Sequence, residues 1–277
     1  MTSLGFDSLP YLVTTRRAKH GLAFNLLFVG SSGIGKTSLI NSLFDIEYGD
    51  SPDYDRSMKN VELCVKEFRP VNKFIEMKIT LIETKGFDDN IDRTHVYQPI
   101  VDYIEEQNKK YLRNELKVQA SKYNDIADTR VHCAVYIISS KGSGLTPTDL
   151  VTMEQLHKRV CLVPVIGKSE GMTKAEIRAM KRTVMRQLSD NGISTYSSED
   201  LPFAVSTSAE IVLEDGKRKR IRQYPWGRMD IEKDTDFPLL RDLLLRSNML
   251  DLIETTNRVH YERYRDEAVK EGHSIKL

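Results

Sequence analysis

Apolar positions fall in short runs separated by glycine-bearing or polar turns, and the runs switch between strand-like and helical spacing. Ala23–Gly30 (AFNLLFVG) is a nearly continuous apolar run closed by glycine, which predicts a buried strand. A glycine-rich turn follows, then a helix with Leu39, Ile40, Leu43 and Phe44 on one face. Met77–Glu83 alternates as a strand and ends at a turn on Gly86, and Pro99 opens a helix with Ile100, Ile104 and Tyr111 inward. Val131–Ile138, Cys161–Ile166 and the short Phe203–Val205 are further strands. Thr146-Pro147 pairs a cap with proline at the first helical position, starting a helix that runs to His157. Thr173-x-x-Glu176 is a capping box for a helix carrying Ile177, Met180, Val184 and Leu188, which Asn191-Gly192 ends. Strands alternating with helices predict an α/β fold in three layers around a mostly parallel sheet.

From about Glu210 the pattern changes. A basic stretch, Lys217–Arg222, precedes Tyr224-Pro225-Trp226-Gly227, and helices follow to the end, the last of them a heavily charged Leu250–Val269. The expected organisation is a basic segment at 1–22, a core at 23–209 and an appended element at 210–277. The 277 residues are 40% hydrophobic and 29% charged, ordinary for a globular protein. With 41 Lys and Arg against 40 Asp and Glu, the net charge of +1 drives no bulk attraction to nucleic acid, and none is expected as a partner. No apolar run approaches the roughly 18 residues a membrane span needs, and no basic start leads into an apolar core. The expected address is the cytosol. Cys64, Cys133 and Cys161 make no disulfide framework, and Cys133 and Cys161 read as buried free thiols. The six histidines show no metal-ligand spacing, so His132, His157 and His260 read as packing or hydrogen-bonding residues.

Chemistry concentrates in Gly30-Ser31-Ser32-Gly33-Ile34-Gly35-Lys36-Thr37, which matches G-x-x-x-x-G-K-[ST] between a strand and a helix. Glycines let backbone N–H groups converge on phosphate oxygens, with Gly30, Ser32, Gly33, Gly35 and Ser38 around the cradle. Lys36 reaches the β- and γ-phosphates, the Thr37 hydroxyl is a Mg²⁺ ligand, and the helix start adds its positive end. This loop alone does not separate ATPases, kinases and GTPases.

Beyond the loop the chain carries Asn41-Ser42-Leu43-Phe44, Arg130-Val131-His132-Cys133, Val163-Pro164-Val165-Ile166, Leu201-Pro202-Phe203-Ala204-Val205 and Tyr224-Pro225-Trp226-Gly227. In these motifs it resembles the septins, filament-forming GTP-binding proteins, from about Leu9 to about Tyr264. The resemblance implies a P-loop GTPase-like fold with a septin-specific C-terminal element, GTP or GDP as ligand, and Mg²⁺ with GTP. It also exposes departures at the nucleotide. Septins carry D-T-P-G after the third strand, where this chain has Glu83-Thr84-Lys85-Gly86. Gly86 keeps the γ-phosphate position. Glu83 stands one methylene longer in the metal shell, and Lys85 is either a surface lysine or a phosphate contact. Septins read guanine with A-K-A-D; here the stretch is Gly167-Lys168-Ser169-Glu170. A misplaced bidentate carboxylate costs about 2–3 kcal/mol, roughly 30- to 150-fold in affinity. Thr207 falls where a glycine approaches the base, and Arg222 matches the arginine that lies against it. The catalytic threonine of the first switch aligns with Asn60, Ser57 being the alternative, so efficient hydrolysis is not expected.

The resemblance further implies assembly with other septin subunits through two faces, one across the nucleotide and one on the terminal helices. Tyr224, Trp226 and Ser143, the last in place of a histidine that reaches a partner's nucleotide, belong to the first face. Arg16, Arg17 and Lys19 resemble the septin segment that meets anionic phosphoinositides, at about 1 kcal/mol per cation. Lys217–Arg222 is either a second such patch or a solvated hairpin. A hetero-oligomeric scaffold of the cell cortex and division furrow is the expected role, a working GTPase switch the alternative. No acceptor-substrate lid of a kinase is visible.

Overall fold

The computed structural model describes residues 22–48, 61–70, 77–85, 87, 95–119, 126–207, 210–214 and 217–270. Arg16, Arg17, Lys19, Ser57, Asn60 and Gly86 lie outside the described residues.

Six strands form the central sheet: β1 (Leu22–Val29), β2 (Glu62–Phe68), β3 (Met77–Lys85), β4 (Cys133–Ser139), β5 (Cys161–Gly167) and β6 (Phe203–Ala204), in the order β2-β3-β1-β4-β5-β6. All neighbours are parallel except the β2–β3 edge pair. Because β1 is flanked by β3 on one side and β4 on the other, the chain reverses direction across the sheet there, and a crevice opens at its carboxyl end.

Both faces are covered. On one, Phe24, Leu26 and Phe28 pack with Leu39, Ile40 and Leu43 of α1 (Lys36–Phe44) and with Phe237, Leu244 and Leu252 of the C-terminal helices. On the other, Leu27, Val29 and Ile138 meet α2 (Gln98–Gln119), α3 (Pro147–Leu156) and α4 (Lys174–Asp190) through Ile100, Ile104, Met153 and Val184. Each side chain of this kind contributes about 1.5–3 kcal/mol on burial. Three layers result, as the alternation of elements predicts. The expected capping box at Thr173 is formed, its side chain accepting from the Glu176 N–H, and the Thr146 cap proves to be a capping box as well, accepting from the Asp149 N–H. Thr146→Ala is expected to cost about 1 kcal/mol in a urea unfolding curve, because Asp149 is also held by the Tyr136 hydroxyl (2.8 Å).

The differences from the sequence reading are local. β3 runs to Lys85 rather than Glu83, because the antiparallel β2 pairs Glu62 with Lys85. β4 begins at Cys133 rather than Val131, because Asn25 gives its backbone N–H to the His132 ring (2.9 Å) and the ladder resumes at Leu26–Cys133. β6 stops one residue early, at Ala204. The basic stretch is a strand. β7 (Glu210–Glu214), β8 (Lys217–Tyr224) and β9 (Gly227–Asp230) form a second, antiparallel sheet. After α5 (Ile231–Asp234), the described chain to Lys270 is mostly helical, with α6 (Phe237–Asp242), α7 (Met249–Thr255) and α8 (Glu262–Lys270) joined by wider π turns; α7, its π turn and α8 run on continuously, as the expected Leu250–Val269 helix does.

Two polar clusters tie the layers together. At the amino end of β4, the Arg130 guanidinium forks onto Asp128 (2.9 and 2.7 Å), bonds Asn257 (2.7 Å) and lies between the rings of Tyr111 and Tyr261. The Asp128 carboxylate also meets His132 Nε2 (3.2 Å). Burial alone would raise the Asp128 pKa, but His132 and Arg130 hold it well below the usual carboxylate range. The second cluster centres on Asp45, just past α1 in a left-handed conformation, where it pairs with Arg220 of β8 and Arg241 of α6 (3.0 Å). Arg220 pairs also with Glu232 of α5.

Candidate functional site

The loop Gly30–Gly35 crosses the carboxyl end of β1 and feeds α1. Gly30 presses on β4: a Cβ there would sit 2.6 Å from the Ile137 carbonyl oxygen. Gly35 caps α1 at φ 103° with no side-chain cap, leaving the first-turn N–H groups free of side-chain capping. The Ser32 N–H donates to the Phe87 carbonyl (3.1 Å), which ties the loop to the segment after β3. Lys36 Nζ donates to the carbonyls of Gly30 (2.7 Å) and Ser31 (2.9 Å), holding the ammonium over the loop. Ser32, Gly33 and Ser38 are exposed. A glycine-rich loop, a helix start and a fixed cation stand together here, the kind of arrangement that suits an anionic phosphate chain.

At the foot of this cradle the Thr37 hydroxyl donates to Glu83 Oε1 (2.6 Å). Glu83 is 2% exposed, and its other oxygen, Oε2, is buried without a hydrogen-bond partner among the described residues. A hydroxyl and a carboxylate with an unspent oxygen form a hard-oxygen donor set that fits Mg²⁺ carried by a phosphate chain. The carboxylate, with burial, also raises the Tyr48 phenol's pKa, burial being the larger cause.

The base side is assembled from three loops. Lys168, in a left-handed conformation, donates from Nζ to the Gly33 carbonyl (2.6 Å), and its own carbonyl accepts from the Ser140 hydroxyl (3.0 Å). The Ser169 N–H bonds the Val205 carbonyl (3.1 Å), which brings Glu170 beside Ser206. Arg222 NH1 donates to the Thr207 carbonyl (2.9 Å) and stands 3.9 Å from Glu170 Oε1. Thr207 thus contributes its backbone here. Glu170 Oε2, Ser206 Oγ and Tyr224 Oη are all buried, and among the described residues none makes a hydrogen bond of good geometry. Burial raises the pKa of the Tyr224 phenol; Ser206 and Arg222 act against this and Glu170 with it. The Tyr224 ring stacks on Trp226 at 4.5 Å, and Trp226 is 70% exposed. Ser143 is exposed in the loop after β4, where Gln187 fixes the Leu145 N–H (2.8 Å).

Lys36, Thr37 and Glu83 therefore share one end of the site, and Lys168, Glu170, Thr207 and Arg222 the other. Lys168 touches the phosphate loop and so joins them. Two groups escape sequence reasoning. Ser206 carries only the faint signal of a hydroxyl ending an apolar strand. Tyr224 reads as an interface residue, and nothing local shows that its hydroxyl turns inward.

A mostly parallel sheet with a glycine-rich loop at its point of reversal, and a lysine-bearing loop beside it, is the fold of the P-loop GTPase-like class. The septin family profile matches residues 20–276. The chain is 38% identical over 279 aligned residues to Septin-8-A of Danio rerio, covering 95% of this chain and 66% of that protein. It is 37% identical to Septin-11 of Bos taurus and of Homo sapiens, again over 95% of this chain and 65% of each. It thus spans just under two thirds of the length of these relatives. This chain belongs to the septin family.

Proposed function

We propose that the chain is a septin subunit that holds a guanine nucleotide as a structural element and assembles with other septins into hetero-oligomers and filaments. The observation that carries this reading is the pair of unspent, buried carboxylate oxygens at opposite ends of the site, on Glu83 and Glu170. An isolated buried acceptor costs free energy; a nucleotide with its metal supplies a partner to each. Gly30, Ser32, Gly33, Gly35, Lys36 and Ser38, with Gly86, surround the phosphates in this reading. Thr37 and Glu83 hold Mg²⁺, which when bound neutralises phosphate charge. Lys168, Glu170, Thr207 and Arg222 form the base side.

Turnover is weak in this reading, because Asn60 stands where a water-positioning threonine belongs and phosphoryl transfer depends on that positioning. Trp226, Tyr224 and Ser143 supply the nucleotide-side face, and the terminal helices the other. Residues 23–209 serve as the nucleotide-binding core and 210–277 as the assembly element. Residues 1–22 bring Arg16, Arg17 and Lys19 to anionic lipid at the cell cortex, where the assembly scaffolds division.

The protein purified with a partner septin, denatured and resolved by ion-exchange chromatography, is expected to release GDP or GTP, while native samples release phosphate no faster than the Lys36→Ala variant. Recovery of no nucleotide would overturn structural occupancy. Turnover that Lys36→Ala abolishes would establish the alternative, a working switch.

A further inference from the structure

The base side contains two more buried polar groups than the carboxylate–lysine–arginine set uses, the hydroxyls of Ser206 and Tyr224. Tyr224 belongs to two environments at once. Its ring stacks on the exposed Trp226, while its hydroxyl, buried without a geometrically formed hydrogen bond among the described residues, is close enough to Ser206 and Glu170 for both to act on the phenol. Arg222 bridges the group, 3.9 Å from Glu170 Oε1 and with its guanidinium carbon 5.1 Å from the Tyr224 ring centroid. A phenol donor beside a carboxylate acceptor, both dehydrated, is a pair that gains by closing, since a buried polar group is stabilised by a charged hydrogen-bond partner.

We propose that Tyr224 is a positioning residue for base specificity: its hydroxyl, approached from the β8 side, holds the Glu170 carboxylate in line with the hydrogen-bonding edge of the purine. The inference rests on the guanine-nucleotide reading above. Glu170 carries a longer side chain than aspartate, with one more rotatable bond, so a bidentate contact needs an outside restraint. Oε1 has Arg222 beside it, and the phenol is the group placed to restrain the other oxygen. Because the phenol also stacks on Trp226, the base-reading carboxylate and the exposed aromatic face share one side chain.

Tyr224→Phe keeps the ring and its stack and deletes only the hydroxyl. Titration calorimetry with GDP, IDP and ADP in the presence of Mg²⁺ reads the effect, IDP lacking the exocyclic amino group that a bidentate carboxylate engages. The wild-type chain is expected to prefer GDP over IDP by at least about tenfold, and Tyr224→Phe to bring that ratio to within about threefold of unity. ADP binding, which rests on the phosphate cradle, should not change between the two. The conservative variant Glu170→Asp draws the carboxylate away from the phenol, so adding Tyr224→Phe to it should leave the GDP-to-IDP ratio unmoved. A ratio equal in wild type and Tyr224→Phe overturns the positioning role while leaving guanine binding intact. Wild type that binds none of the three, or binds all equally, overturns the guanine reading itself and this inference with it. Equal melting temperatures for wild type and variant show that the fold is not the cause.

Discussion

Replacing Arg130 with alanine is expected to lower the unfolding free energy by about 3–5 kcal/mol, the usual consequence of removing one partner from a buried ion pair. Arg130 is 3% exposed, and its guanidinium serves Asp128, Asn257 and the faces of two tyrosines together. Deletion strands the Asp128 carboxylate and opens a gap between α2 and the C-terminal helices. Urea unfolding by circular dichroism measures the loss. The exposed Lys158–Glu154 pair is the control, and its removal should shift stability by about 0.5 kcal/mol or less. Acid sharpens the test. Asp128 has a depressed pKa in the folded protein, so the stability it contributes is complete above its unfolded value of about 4 and is lost as pH falls below that. Wild type should therefore weaken on acidification below about pH 4, and the deficit of Arg130→Ala should shrink there. A deficit independent of pH would mean that lost packing, not the ion pair, dominates.

The second large effect is expected at the other end of the sheet. Lys36→Ala should reduce GDP affinity by more than about 100-fold, since an ammonium making two charge-assisted bonds to phosphate contributes at least about 3 kcal/mol. The Gly30 and Ser31 carbonyls already hold Nζ in place, so little side-chain freedom remains to be lost on binding. Lys36→Arg should not restore affinity, because a planar fork does not fit where a compact ammonium sits. Calorimetric titration with GDP decides; affinity within about threefold of wild type would remove the phosphate-cradle assignment.

What the sequence reveals depends on how local the cause is. The glycine-rich turn before α1, the Thr146-Pro147 cap and the Thr173 capping box are written in consecutive residues, and the structure forms the turn and both caps. Buried strands β1, β4 and β5 are legible because both faces are covered and the run is apolar throughout. β2 escapes notice because it is a partly exposed edge whose pairing with β3 is long-range. β8 hides its strand character behind Lys and Arg; only Ile221 among its described side chains is buried apolar surface, and Arg220 turns to acidic partners instead. The site divides in the same way. Lys36, Thr37, Lys168 and Glu170 stand in short motifs. The approach of Ser206 and the Tyr224 hydroxyl to Glu170 exists only once the second sheet has folded against the base loop.

The Asp45 cluster has a mechanical meaning. Helix α1 is a strut of nine residues, about 13 Å long. Its first residue, Lys36, is pinned to the phosphate loop, while Asp45 at its far end is clamped by arginines from β8 and α6. Any displacement of the loop that carries Lys36 along the axis must push Asp45 against those two arginines, or bend the rod, or break the clamp. The phosphate end of the molecule and its second sheet are thus the two ends of one lever.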